Sequence, residues 1–597
     1  MYLATTGLSE FWETDGEILF LGAWCLRQER RTEWEGLRYQ VLPSPWDDRK
    51  RFYETCAYLD ESYERLLNGL TDYLNAVHQV SFNQRYWRIL LGPWLLHSLH
   101  VAYDRYVCLR EAFQRYSNLR TVVLDPQSFW VPRTTMESRN LGLHDPFNLQ
   151  VVSQLLHAMG HRCPSRGLQD GWPNAGIGGW RKIARRVANG TFSFVCEAIS
   201  RSRQRDGQAA LCYLYCPLRQ ILELVWRSRF QAVPYEGKTD WSPTLPDPVF
   251  DERRNGLALI PSRNEFEQAF IQSLPQNFPV VYLEGFRRVR DEMRCRIQAF
   301  PLVIVSAVGW WFISEPFKFL AAEASQRGSR LITVQHGGGY GMSRYHPCED
   351  HESRIADSYM VWGWANPASR LRRNLPNPKL SSLSRKSLTP RHVHGKKSIL
   401  FVATDCPRYL YRFQSSPTGS QWNSYIEWEH RFLEEVPLSL RSAILFRPHQ
   451  VDYGHVIKTV LGQKFPAIAW DTGGTFYQRL RTSRLLVIDH PGTTSLEAFA
   501  ANVPTVLFWN PQHWEMRQEA EPHLGNLRKE GILHDSPEAA AAKVAEIYHD
   551  PWIWWGSPKV QRARGDFADR FALTREDWAD CWAKTLEEEL SLTRREC

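Results

Sequence analysis

The sequence contains no apolar stretch approaching the roughly 20 residues that a membrane-spanning helix requires. Its first residues, Met1-Tyr2-Leu3-Ala4-Thr5-Thr6, lack the basic start and apolar core of a secretory signal, so a cytoplasmic location is expected. The twelve cysteines include no C-x-x-C, and the closest pair, Cys212 and Cys216, lies in an apolar run. His161 with Cys163 and His346 with Cys348 have no second Cys or His pair close by, which argues for reduced thiols and against a structural zinc site. Internal repeats and low-complexity tracts are also missing. Between Asp357 and Asp405 there is no acidic residue at all, while Arg370, Arg372, Arg373, Lys379, Arg385, Lys386, Arg391, Lys396 and Lys397 accumulate. Asn366-Pro367, Pro376, Pro378 and the serines from Ser381 to Ser387 interrupt regular structure there, so the segment reads as a linker. It is either a solvated connection or a basic rim for an anionic donor, an acceptor or the inner face of a membrane. No nucleic-acid-binding motif accompanies the charge, and no nucleic-acid partner is expected.

What the chain does have is length and a repeated rhythm. Its 597 residues exceed one core, and an apolar share of 43% is that of a globular protein, so two α/β domains are expected. Ile18 to Leu21 reads as an early strand, and Tyr63, Leu66, Leu67, Leu70, Leu74 and Val77 recur at helical spacing. Residues 85 to 115, rich in Trp, Tyr, Leu and Arg, read as further helices. Strands are then expected at Thr121–Leu124, Pro279–Leu283, Leu302–Val305 and Leu331–Val334, with a helix from Phe317 to Gln326. The rhythm restarts at Ile399–Val402, Ala443–Phe446, Leu485–Ile488 and Val506–Phe508, followed by a serine-capped helix from Ser536-Pro537-Glu538 to Tyr548. Such alternation implies parallel sheets with ligands at the carboxyl ends of the strands. The expected division is a first lobe over 1–365 with helical insertions, a basic linker over 366–397, a second lobe over 398–550 and a helical tail over 551–597 that packs back.

Three strand ends carry chemistry. Val487-Ile488-Asp489-His490-Pro491-Gly492-Thr493-Thr494-Ser495-Leu496-Glu497 runs from an apolar strand into a helix opened by a glycine and three hydroxyl residues. Free N–H groups at a helix start carry partial positive charge, and hydroxyls add donors, so this turn suits the phosphate of a nucleotide-sugar or another phosphorylated donor. A merely hydroxyl-capped helix would share the pattern. Glu497, three residues into the helix, is a candidate for the donor's ribose or a helix-start carboxylate. Ala443–Phe446 ends in Arg447-Pro448-His449-Gln450, where a guanidinium and an imidazole can both reach a phosphate and His449 can protonate a leaving group. Leu331–Val334 ends in Gln335-His336-Gly337-Gly338-Gly339-Tyr340-Gly341, whose glycines permit close ligand approach and present His336, the side chain best suited to proton transfer near neutral pH. Glu349, Asp350, Glu352 and Asp357 follow, and Glu349 or Glu352 could assist His336. Asp47-Asp48 is the nearest approach to a metal-binding pair, but its neighbours Trp46 and Arg49 favour a structural ion pair. The scheme needs neither metal nor cofactor, because Arg, His and helix N–H groups supply the positive field.

Leu3-Ala4-Thr5-Thr6, Phe20-Leu21-Gly22-Ala23-Trp24-Cys25, Pro45-Trp46-Asp47-Asp48-Arg49, Arg85 to Trp94, the Gln335 to Gly341 loop, Asp489 to Glu497 and Phe508-Trp509-Asn510-Pro511 resemble, over nearly the whole chain, a little-characterised family of transferases associated with surface-polysaccharide and O-antigen synthesis. More distantly, the second half is similar to GT-B glycosyltransferases that use CMP-activated sialic acid or Kdo. Their His-Pro motif and downstream Ser/Thr pair hold the CMP phosphate, which maps onto His449 and onto Thr493, Thr494 and Ser495. Here His449 precedes Gln450, and a literal His-Pro occurs at His490-Pro491. The resemblance implies a GT-B-like fold of two Rossmann-type lobes and transfer of a nucleotide-activated sugar to a glycan or lipid-linked glycan. The alternatives are a phosphotransferase using a CDP-linked alcohol, or a glycan- or nucleotide-binding scaffold built on the 25 Trp and 23 Tyr.

Overall fold

Continuous apolar runs form the centre of two six-stranded parallel sheets, as expected for strands covered on both faces. The computed structural model describes residues 1–168, 172, 207–297, 299–385 and 398–596. In the first sheet the order is Arg372–Asn374, Ser358–Val361, Arg330–Val334, Val303–Ser306, Ala209–Cys212, Ala232–Pro234. In the second it is Ala469–Trp470, Ile444–Arg447, Ile399–Val402, Leu485–Ile488, Thr505–Phe508, Leu533–His534. Every pairing in both sheets is parallel. The expected α/β fold of two lobes, with a helical N-terminal elaboration and C-terminal helices, is present.

Strand order locates the crevices. In the second sheet the chain winds outward on one side of Ile399–Val402, then returns to pair Leu485–Ile488 on its other side. The loops after these two strands begin at Ala403 and Asp489 and diverge at this topological switch point, where open α/β sheets bind their ligands.

Against the first sheet lies a helical layer led by Arg49–His78 and Gln84–Arg115. Asp48 caps the former by accepting from Arg51 N, and Asn83 caps the latter by accepting from Tyr86 N. Residues 85 to 115 are thus one helix, with Pro93 inside it. A small parallel sheet, Tyr2–Ala4, Ile18–Phe20 and Tyr39–Val41, joins this layer. At the other end, Pro558–Phe571 packs on the second lobe, whereas Trp578–Glu596 crosses back and buries Trp578, Trp582, Leu586 and Leu590 against the first sheet.

Several expectations need correction. Pro279–Leu283 contains a 3-10 turn, Val280–Tyr282, whose apolar side chains enter the helical layer while the hydroxyl of Tyr282 donates to Glu315 at 2.7 Å. The basic segment is not simply a linker: Arg372–Asn374 is the edge strand of the first sheet, and Asn377 caps the helix Pro378–Ser384. Its cations find acidic partners elsewhere in the chain. Arg373 binds Glu588 and Glu589, Lys379 binds Glu497, and Arg385 approaches Glu223. Residues 386–397 lie outside the described residues. Arg49 pairs not with Asp47 or Asp48 but with Glu515 of the second lobe, at 2.5 Å.

Candidate functional site

The two glycine-bearing turns meet face to face across the lobes. Gly338 N–H donates to Thr493 Oγ1 at 2.8 Å. A Cβ on Gly338 would stand 2.3 Å from the carbonyl carbon of Gly492 and 2.5 Å from Thr493 N, closer than any side chain tolerates. Gly492 is the extended N-cap of the helix Thr493–Ala500, so the N–H groups of Thr493 and Thr494 in its first turn lie beside the Gly337-Gly338-Gly339 loop, while that of Ser495 bonds Gly492 O. Ser495 turns its hydroxyl back onto Gly492 O at 2.7 Å, leaving Thr493 and Thr494 as the hydroxyls at the helix mouth.

The loop holding His336 is braced from below. Gln335 is buried; its Oε1 accepts from Trp362 N and Trp364 Nε1, and its Nε2 donates to Gly337 O at 3.0 Å. His336 Nδ1 lies 3.5 Å from Glu352 Oε1, and the Tyr340 hydroxyl stands 3.3 Å from its ring nitrogens. Burial, with the nearby Arg412 cation, pushes His336 down to about 4, so the imidazole is neutral at physiological pH. Glu352 is fully buried and accepts from Trp311 Nε1, Tyr359 OH and Tyr340 OH at 2.7, 2.7 and 3.1 Å. Desolvation outweighs these three donors and raises its carboxyl to about 8. Of the two carboxylates expected to assist His336, Glu352 touches it. Glu349 instead is gripped at 2.9 and 3.0 Å by both terminal nitrogens of Arg517 and accepts from Gly341 N, which fixes the end of the loop to the second lobe. A short antiparallel bridge between Ser343 and Met516 reinforces this contact.

On the second lobe the expected phosphate ligands are engaged differently. Arg447 pairs with buried Asp471 at 2.5 Å, and Asp471 is also held by Arg479 at 2.6 Å. His449 is exposed, hydrogen-bonded through Nδ1 to the backbone of Val451 and close enough to His490 to feel its charge. His490 Nδ1 contacts Asp489 Oδ1 at 2.9 Å. Glu497 is paired with Lys379 at 2.5 Å, as a structural helix-start carboxylate would be. His336, the glycine loop, Gly492 and Thr493 therefore converge, with His490 beside Gly492. Arg447, Glu349 and Glu497 each have an ion-pair partner.

Sequence reasoning did not single out Tyr340, Arg412, Asp489, Tyr425 or Arg517. Arg412 sits on a segment that follows Ile399–Val402 and inserts into the first lobe, where Arg408 and Tyr409 bind Asp145, each at 2.6 Å. Only Asp489 carried a local signal, its position between an apolar strand and His490.

Solved structures with likeness to the chain include the wall teichoic acid polymerase TagF, at 9% identity, TM-score 0.32, covering 70% of this chain and 99% of that one. Another is the UDP-N-acetylglucosamine 2-epimerase from Rickettsia bellii, at 11% identity and TM-score 0.34, covering 65% of this chain and 97% of that one. The lipopolysaccharide-biosynthesis glycosyltransferase WaaG follows at 11% identity and TM-score 0.27, covering 64% of this chain and 99% of that one. None of the curated proteins matches the chain. The LIC12162 family transferase model matches residues 1–586, and the chain belongs to that family of transferases.

Proposed function

We propose that this transferase is a GT-B-like glycosyltransferase that moves a nucleotide-activated sugar onto a glycan or lipid-linked glycan. The observation that carries the reading is the meeting of the His336 loop of one lobe with the Thr493–Ala500 helix start of the other. A donor phosphate at Gly492–Thr494 would receive first-turn N–H groups, the Thr493 and Thr494 hydroxyls and His490, with Arg447 and His449 further along the same sheet edge. Residues 1–365 would form the acceptor side and 398–550 the donor side. A CMP-linked ulosonic acid such as Kdo is the proposed donor and an O-antigen or related surface polysaccharide the proposed acceptor, with reaction at the inner face of the membrane. No described helix is long and apolar enough to cross a membrane, so contact with a lipid-linked acceptor would be peripheral.

His336, neutral in its half-buried setting, would take the proton of the acceptor hydroxyl as that oxygen forms the new glycosidic bond. The electron pair of the broken sugar–phosphate bond would stay on the phosphate oxygen. Positive field from the helix start and side chains would stabilise it without a metal.

Thermal-shift titration with CMP, CDP, UDP, GDP and TDP tests the reading, followed by the same titration of Arg447→Ala. A cytidine nucleotide should stabilise the protein. Losing one charge-assisted contact of about 1.5–3 kcal/mol should weaken that binding at least tenfold. Arg479 still holds Asp471 in the variant, so the fold should survive. Absence of stabilisation by any nucleotide would refute the donor site.

A further inference from the structure

At the switch point of the second sheet, behind His490, lies a hydrogen-bonded chain that the transfer scheme has not used. Asp489 is buried at the end of Leu485–Ile488, with Oδ1 2.9 Å from His490 Nδ1 and Oδ2 accepting from the Tyr425 hydroxyl at 2.7 Å. Tyr425 O in turn accepts from Thr404 N–H at 2.9 Å. A phenol has one proton; with its lone pair taken by Thr404, that proton belongs to Asp489. Oδ2 of Asp489 is then an acceptor, and where the carboxylate accepts at Oδ1 as well, the contact with His490 places the proton on Nδ1. This leaves Nε2 as the imidazole's outward nitrogen. The ring lies against the helix start: a Cβ on Gly492 would be 2.9 Å from its Cδ2 and 3.2 Å from Nε2, so any larger residue there would push the ring aside.

A second carboxyl, Glu429, is fully buried beside Asp489, and neither of its oxygens has a hydrogen bond of good geometry. Burial and the adjacent Asp489 hold it protonated, far above the usual carboxylate range. The titratable groups around this pair are Tyr425, His490 and Asp405, and His490 in turn neighbours His449.

We propose that Asp489, held by Tyr425, is a positioning residue that fixes the tautomer of His490 and leaves its Nε2 for the donor, making His490 the proton donor to the leaving phosphate. The last clause rests on the donor reading above. In the step, the sugar–oxygen bond breaks with its electron pair going to the phosphate oxygen. That oxygen receives the Nε2 proton of the His490 imidazolium, while the acceptor oxygen closes the new bond and gives its proton to His336. Solvent then restores the proton of His490 and removes that of His336.

The test is imidazole ¹⁵N NMR of the full chain labelled at histidine, without nucleotide, with the His490 signals assigned by their loss in His490→Gln. The wild type should show the Nδ1-protonated neutral tautomer. In Asp489→Asn the proton affinity of His490 should fall about tenfold or more, as expected for loss of an adjacent carboxylate. In Tyr425→Phe it should rise, because Asp489 loses a competing donor. The basic limb of the pH–rate profile, which the His490 acid sets, should move with it, and the acidic limb should not. A merely structural role would not produce opposite shifts, and Tyr425→Phe keeps the test alive if Asp489→Asn does not fold. An Nε2-protonated tautomer, or a His490 titration unchanged in both variants, overturns the proposal. The predicted tautomer in a wild type that binds no nucleotide would uphold the positioning and refute the donor reading instead.

Discussion

Gly338→Ala is the sharpest perturbation of the interlobe contact. The new methyl would meet the backbone of Gly492 and Thr493 at 2.3–2.8 Å, and no flexible side-chain end is there to yield. Relieving such overlap costs about 1–3 kcal/mol. Pushing the loop away also stretches the Gly338 N–H to Thr493 Oγ1 bond, worth about 1 kcal/mol. Together these give about 2–4 kcal/mol against the apposed arrangement, or about 30- to 1,000-fold in its population relative to a separated one. Gly337→Ala is the matched control, since its Cβ would meet nothing nearer than Thr493 Oγ1 at 3.6 Å. Turnover and small-angle scattering of both variants provide the comparison. Gly338→Ala should lose at least tenfold more activity than Gly337→Ala, with either a larger radius of gyration or, if only the loop moves, an unchanged one. Equal activity in the two would show that the contact is incidental and would remove the argument for a site assembled between these turns.

Loss of the His336 imidazole in His336→Ala should cost roughly 10²–10⁴-fold in rate while leaving nucleotide affinity nearly unchanged, since the phosphate contacts are assigned to the other lobe; near-normal turnover in a folded variant would defeat its role. Arg517→Ala leaves Glu349, 1% exposed, with only Gly341 N and a distant Arg372, and should destabilise the protein by about 3–5 kcal/mol in chemical denaturation. A double change with Glu349→Gln should recover part of that loss, and no recovery would mean that the pair is not the cause. Glu352 keeps its proton in the native state up to about 8, whereas the unfolded chain gives it up near 4.5, so the unfolded state binds fewer protons between these values. Stability should therefore fall as pH rises from about 4.5 to about 8, and Glu352→Gln should flatten that slope in urea denaturation followed across pH. An identical slope in the variant would show that Glu352 is not the titrating group.

The second lobe was readable because its central strands are uninterrupted apolar runs. Ile399–Val402 and Leu485–Ile488 occur as expected, and Ser536 accepts from Ala539 N at the start of Pro537–Ile547. Pro279–Leu283 looks equally strand-like, but a short apolar run has no period that distinguishes a strand from a buried turn. Arg372–Asn374 was hidden for the opposite reason: an edge strand of Arg-Arg-Asn is paid for by Glu588 and Glu589, which lie far downstream. The site divides in the same way. Local chemistry pointed to His336 and the Gly492–Ser495 turn, whereas the partners that engage Arg447, Glu349 and Glu497 come from other segments and no spacing rule reveals them.

The crossing of Trp578–Glu596 onto the first sheet ties the order of synthesis to the order of folding. Trp578, Trp582, Leu586 and Leu590 complete one face of that sheet, and Glu589 neutralises Arg330 and Arg373 while accepting from Ser358. A ribosome must translate the entire second lobe before these residues emerge. Until then the first lobe has an open apolar face and lacks the carboxylate that Arg330, Arg373 and Ser358 share, a state in which chaperone binding or premature association is favoured. Domain-by-domain folding is thus denied to the first lobe: its core becomes complete only when the rest of the enzyme already exists.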